Sequence, residues 1–65
     1  MEEIGSMIKH FRLKNNQTLK QLSNVTGLST SFLSQVERGE SSIAITSLSK
    51  IAEALNVDIT SFFKT

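Results

Sequence analysis

Apolar positions recur along this chain at intervals of three and four residues, the spacing of helices rather than the alternation of strands. Ile4, Ile8 and Phe11 fall at i, i+4 and i+7, which predicts a first helix over about Glu2 to Asn15 with one apolar face. Glu2 and Glu3 in its first turn and Lys14 in its last complement the helix dipole. The polar run Asn15-Asn16-Gln17 ends it. Thr18, followed three residues later by Gln21, has the form of a capping box. It opens a second helix from about Leu19 to Val25, with Leu19, Leu22 and Val25 expected to face inward.

Gly27 comes just after that helix, where a positive φ is commonly needed, and Leu28 is placed to fill the space between two helices. Ser29 is a suitable N-cap for a third helix, about Thr30 to Arg38, with Leu33 and Val36 inward and Phe32 beside them. Gly39 closes it, and a short loop leads to a fourth helix at about Ile45 to Leu55. There Leu48, Ile51, Ala52 and Leu55 repeat at i, i+3, i+4 and i+7. Asn56 ends it, and Asp58 or Thr60 caps a last short helix that carries Phe62 and Phe63. The pattern predicts an all-α, compact five-helix bundle, one domain over residues 1–65.

Composition narrows what such a bundle does. With 65 residues and no Cys, the fold has neither disulfides nor a thiolate metal site, and apolar packing must suffice. A Cys-free chain fits a reducing cytoplasm. No run approaches the roughly 18 apolar residues of a membrane helix, and MEEIGSM lacks the form of a signal peptide. His10, Asp58 and the serines form no triad, and no Gly-rich phosphate loop or cofactor motif occurs, so an enzyme is the least favoured class. Net charge is only +1 with a pI near 8.2, below the value of about 9 that marks strongly basic nucleic-acid binders. Bulk charge is neutral evidence, and pattern must decide.

The pattern lies in Thr18 to Arg38: two short helices joined by a tight glycine turn. Such a pair crosses at roughly 90–120°, so that the second helix enters a DNA major groove while the first braces it. Ser23 is small where the helices must approach, Gly27 permits the reversal, and Leu22, Leu28, Leu33 and Val36 fix the crossing.

These residues resemble the Cro and phage-repressor family, the xenobiotic-response-element type of helix-turn-helix with a lambda-repressor-like fold. The likeness runs from Ile8-Lys9-His10-Phe11-Arg12 through Thr18-Leu19-Lys20-Gln21-Leu22-Ser23 and Gly27-Leu28-Ser29. It continues through Phe32 to Gly39, with the distinctive Leu33-Ser34-Gln35-Val36-Glu37-Arg38-Gly39, and through Leu48 to Val57. It is similar in particular to the DNA-binding domain that precedes a ligand-sensing cupin domain. The resemblance implies a sequence-specific regulator, most simply a repressor, that binds double-stranded DNA without a cofactor. It further implies a homodimer on a pseudo-palindromic operator, with half-sites about 34–36 Å apart.

On that resemblance Thr30, Ser31, Ser34 and Gln35 read bases. Their chemistry agrees, since Gln pairs bidentately with adenine and the hydroxyls serve several bases. The plain alternative is a solvated polar face. Thr18, Lys20, Ser29, Arg38, Ser41 and Ser42 are placed to hold phosphates, helped by the free N–H groups of two helix N-termini, although Lys20 and Lys50 also suit ordinary solvated positions. The resemblance pairs Arg12 with Glu37 as a structural ion pair; the second choice makes Arg12 a phosphate ligand. Ile59, Phe62 and Phe63 are the candidate dimer surface, unless they finish the core or mark the junction to a C-terminal effector domain.

Three departures from the family pattern matter: Leu19 where Gln is common, Glu40 and Ile43 where a basic residue and a proline are common, and Ala44 at the cap of the fourth helix. They predict a mobile loop and weaker phosphate clamping. The competing class is a protein-interaction module that kept the fold without binding DNA, a choice that Glu40 and the modest charge favour slightly.

Overall fold

The computed structural model describes residues 2–63. Four α-helices follow in order: α1 Glu2–Lys14, α2 Leu19–Thr26, α3 Thr30–Glu37 and α4 Ile45–Leu55. The expected fifth helix is instead a single 3-10 turn, Ile59–Phe62. Ser61 N–H donates to Asp58 O and Phe63 N–H to Thr60 O, the i to i+3 pairing of a 3-10 turn, and Asp58 Oδ1 caps it by accepting from the backbone N–H and the hydroxyl of Thr60. The side chains of Glu2 and Glu3, expected to form an acidic first turn, lie outside the described residues.

Every α-helix ends on a residue of positive φ: Asn16 at 57°, Gly27 at 78°, Gly39 at 76° and Asn56 at 59°. After α1, α3 and α4 the two next N–H groups turn back onto the last carbonyls. Gln17 donates to Arg12 and Asn16 to Leu13; Glu40 to Gln35 and Gly39 to Val36; Val57 to Ala52 and Asn56 to Glu53. This paired closure satisfies carbonyls that the helix leaves orphaned. It also turns the chain sharply enough for short connections. At α2 one bond suffices, from Gly27 N–H to Ser23 O.

The helices pack as α1 on α3, α3 on α2 and α2 on α4, with the 3-10 turn wedged between α1 and α4. Ile8, Leu22, Leu33, Val36, Leu48, Ile51, Ala52, Leu55 and Phe62 form the buried core. Ile4, Phe11, Leu19, Leu28, Phe32, Ile43 and Ile59 pack around it half-buried. Phe62 meets Phe11 edge-on, with ring centroids 5.7 Å apart at 89°, a favoured aromatic geometry that fastens the chain's end to α1.

Val25 departs from expectation: it is 64% exposed, and Thr26 takes the inward place at 7%. The reason is angular. At about 100° per residue, Leu19, Leu22 and Thr26 cluster on one side of α2, and Val25 lies roughly 100° from Thr26. The buried hydroxyl costs little because it is used twice. Thr26 Oγ1 donates to Leu22 O at 2.8 Å and accepts from Leu28 N–H at 3.2 Å, tying α2 to the turn that follows.

Candidate nucleic-acid interface

The orientation of α3 is set at both ends. At its start, Ser29 Oγ accepts from Phe32 N–H at 3.0 Å. At its end, Glu37 receives Arg12 through two parallel bonds, Nε to Oε2 at 2.7 Å and NH2 to Oε1 at 3.0 Å. NH1 of the same guanidinium donates to Gln17 O at 2.9 Å. Side-chain exposure of this pair is 9% for Arg12 and 5% for Glu37. The guanidinium is thus a three-way tie between α1, the α1–α2 connection and the last turn of α3. Its donors are aimed into the molecule, away from any external phosphate. Sequence reasoning did not foresee the Gln17 carbonyl as a partner.

With its lower face held by Leu33 and Val36, α3 turns Thr30, Ser31 and Gln35 to solvent and leaves Ser34 half-exposed. These four side chains, with Arg38 and Leu19, line one open concavity between α3 and the start of α2. Leu19 supplies its apolar floor. Thr30, Ser31, Ser34 and Gln35 are therefore brought together on one face, and Arg38 joins them.

Other predicted residues sit around this face. Thr18 and Gln21 form a reciprocal capping box, in which Gln21 N–H donates to Thr18 Oγ1 at 3.1 Å and Thr18 N–H to Gln21 Oε1 at 2.8 Å. Thr18 and Ser29 accept at their oxygens and donate to no group among the described residues, which leaves each hydroxyl a donor to spare. Lys20 and Ser42 are exposed, and Ser41 is half-buried. Ala44 makes no side-chain cap for α4.

Two couplings on this face escaped the sequence. Arg38 donates to Ser34 Oγ through NH1 and to Glu40 Oε1 through NH2, the latter at 3.0 Å. Ser41 Oγ donates to Gln35 Oε1 at 3.2 Å. The Arg38 bond, and then its charge, hold the Glu40 carboxyl below its usual range, while Glu40 raises Arg38. Both groups are in open solvent, so the pair adds little to stability. Its significance is positional: a carboxylate occupies the Arg38 fork.

The proposed dimer surface divides. Phe62 is 3% exposed and finishes the core, the alternative the sequence left open for it, so it is not part of a partner-facing surface. Ile59 is half-buried against that core, and Phe63 is 53% exposed. Among the described residues no His, Cys, Asp and Glu group could hold a metal ion, and no helix is long and apolar enough to cross a membrane.

Comparison with known proteins extends the picture. Residues 8–62 match the HTH_3 helix-turn-helix family model. The chain is 37% identical over 59 residues to the HTH-type transcriptional regulator SutR of Escherichia coli, a match covering 91% of this chain and 33% of SutR. It is 29% identical over 58 residues to the control protein C.SmaI of Serratia marcescens, covering 89% of this chain and 69% of that protein. Among solved structures, an HTH_3 family transcriptional regulator from Vibrio cholerae superposes with a TM-score of 0.89 at 37% identity, over 95% of this chain and 35% of that one. The chain spans about a third of the length of SutR.

Proposed function

The chain belongs to the HTH_3 helix-turn-helix family, of the Cro and phage-repressor type, and from that premise we propose that it is a sequence-specific DNA-binding transcriptional regulator. It acts in the cytoplasm, without a cofactor, by seating α3 in the major groove. One observation carries this: the exposed side of α3 gathers Thr30, Ser31, Ser34, Gln35 and Arg38 on a single concave surface beside the N-terminus of α2. Hydroxyls and an amide at one-turn spacing suit base edges. The hydroxyl protons of Thr18 and Ser29, at two helix N-termini, suit phosphates, as do Lys20 and Ser42, whereas the Ser41 proton is spent on Gln35. The relatives' descriptions as transcriptional regulators and a control protein point the same way.

The protein binds as a two-fold dimer, with the exposed Phe63 and the half-buried Ile59 offering the apolar contact. Selection of bound duplexes from a random pool tests both proposals at once. The expected outcome is an enriched inverted repeat, its half-sites about 10–10.5 base pairs apart. A single ungapped half-site would remove the dimer. Absence of any salt-sensitive binding would remove DNA and favour a protein-interaction module. On the enriched site, Gln35→Ala should cost about 1–3 kcal/mol and relax choice at one base position. Uniform weakening across all duplexes would make Gln35 a positioning contact only.

Charge makes a second expectation. Glu40 competes with phosphate for Arg38, so Glu40→Gln should tighten binding several-fold. It should also steepen the dependence of log K on log salt by about 0.9, the increment for one more neutralised phosphate. Salt-titrated affinities of the two proteins check this. Equal slopes and affinities would mean that Arg38 meets no phosphate.

A further inference from the structure

Gln35 does not stand alone on the surface of α3. The closure of that helix, through Gly39 N–H to Val36 O and Glu40 N–H to Gln35 O, folds the chain back over its own last turn. The next residue, Ser41, therefore lies above Gln35 and not out in a free loop, and its hydroxyl sits 3.2 Å from Gln35 Oε1. A carboxamide oxygen only accepts, so in this contact the Ser41 hydroxyl donates to Gln35. The Nε2 end of Gln35, by contrast, donates to no group among the described residues.

We infer that Ser41 is a specificity-determining residue: by holding the oxygen of the Gln35 carboxamide, it presents the NH2 group to DNA and sets which base edge Gln35 prefers. The inference rests on the DNA-binding role proposed above. In the major groove, an adenine edge asks a glutamine for both an acceptor, facing N6–H, and a donor, facing N7. A guanine edge presents two acceptors, O6 and N7, and asks only for donors. An amide whose oxygen is turned to Ser41 and whose two N–H bonds are unspent matches guanine. With the oxygen released, the same side chain regains the orientation that fits adenine. Ser41 makes this choice without touching a base; it is a positioning residue for Gln35.

The experiment compares wild type, Ser41→Ala, Ser41→Thr and Gln35→Ala by selection from a random duplex pool, followed by affinities for duplexes differing at the Gln35 position. Wild type should prefer guanine there. Ser41→Ala should shift that one position toward adenine by about fivefold or more, the low end of what one good base contact discriminates. Ser41→Thr, which keeps the hydroxyl, should restore the wild-type preference. In the Gln35→Ala background, Ser41→Ala should change nothing at this position. An unaltered base preference in Ser41→Ala, or a uniform loss over all duplexes, would overturn the inference and leave the DNA-binding role intact. Failure of the wild-type protein to enrich any sequence would instead remove that role, and this inference with it.

Discussion

Gly5→Ala should strongly destabilise this protein, although helix propensity argues the opposite. In the middle of a helix alanine is favoured over glycine by about 1 kcal/mol. Gly5, however, is buried where α1 crosses the end of α3. A Cβ built there would run into the Val36 carbonyl oxygen and lie 2.9 Å from the Glu37 carbonyl oxygen. Both obstacles are backbone, so no rotamer change relieves them, and α1 must move away from α3. Overpacking of a well-packed core costs about 1–3 kcal/mol, and a backbone collision belongs at or above the top of that range. A domain of this size has only about 3–10 kcal/mol in all. The expected loss is about 3 kcal/mol, seen as a fall of more than about 10 °C in Tm by circular dichroism. Ser6→Ala, at an exposed neighbouring position on the same helix, is the control and should be near neutral. A Gly5→Ala protein as stable as its parent would mean that α1 does not approach α3 as described.

That close approach was invisible in the sequence, and the reason is general to what periodicity reports. Apolar spacing locates faces, so α4, whose inward residues are all aliphatic, was legible to the residue: Leu48, Ile51, Ala52 and Leu55 are all buried. The same rule failed at α2. There a polar residue, Thr26, takes an inward place by satisfying its hydroxyl locally, and Val25 is left outside. On α1 the deepest face runs through Gly5, Ile8 and Arg12, of which only Ile8 carries an apolar signal. Helix ends were readable where chemistry is strict, as at Thr18 with Gln21 and at Gly27. The last short element was also placed, with its Asp58 cap, but its 3-10 type was not, because four residues are too few to show a period.

The candidate site was legible as a set of residues but not as a network. The family resemblance named Thr30, Ser31, Ser34 and Gln35, and one turn of helix puts them on a common side whatever the tertiary structure. Their partners come from beyond the helix. Arg38, Glu40 and Ser41 reach back only because α3 closes with Gly39 at positive φ, and no spacing rule states where the folded-back side chains will point. The consequence is that loop residues counted as phosphate contacts also act on the base-reading side chains.

The second large effect is expected at the Arg12–Glu37 pair. Glu37→Gln would leave the guanidinium with the Gln17 carbonyl and a neutral amide in a site that water scarcely reaches. Removing one member of a buried pair costs about 3–5 kcal/mol, because the remaining charge is stranded without full solvation or an opposite charge. Arg12→Met should cost a similar amount by stranding the carboxylate. The double variant Arg12→Met with Glu37→Leu should regain most of the loss, since apolar groups of similar volume need no partner. Urea unfolding of wild type, Arg12→Met, Glu37→Leu and the double variant measures the coupling as a cycle. The same proteins separate the structural role of Arg12 from that of a phosphate ligand. A phosphate contact would leave stability almost unchanged and lower the salt slope of DNA binding by about 0.9. A buried tie does the reverse, changing unfolding strongly at any salt concentration, because ions do not screen a pair they cannot approach. Glu37 belongs to the last turn of α3, so loss of the tie would also loosen the helix that carries Gln35. DNA affinity should then fall in Glu37→Gln even under conditions where the protein remains folded. If instead Glu37→Gln kept full stability, the helix would have to be oriented by apolar packing alone, and Leu33 and Val36 would carry that task.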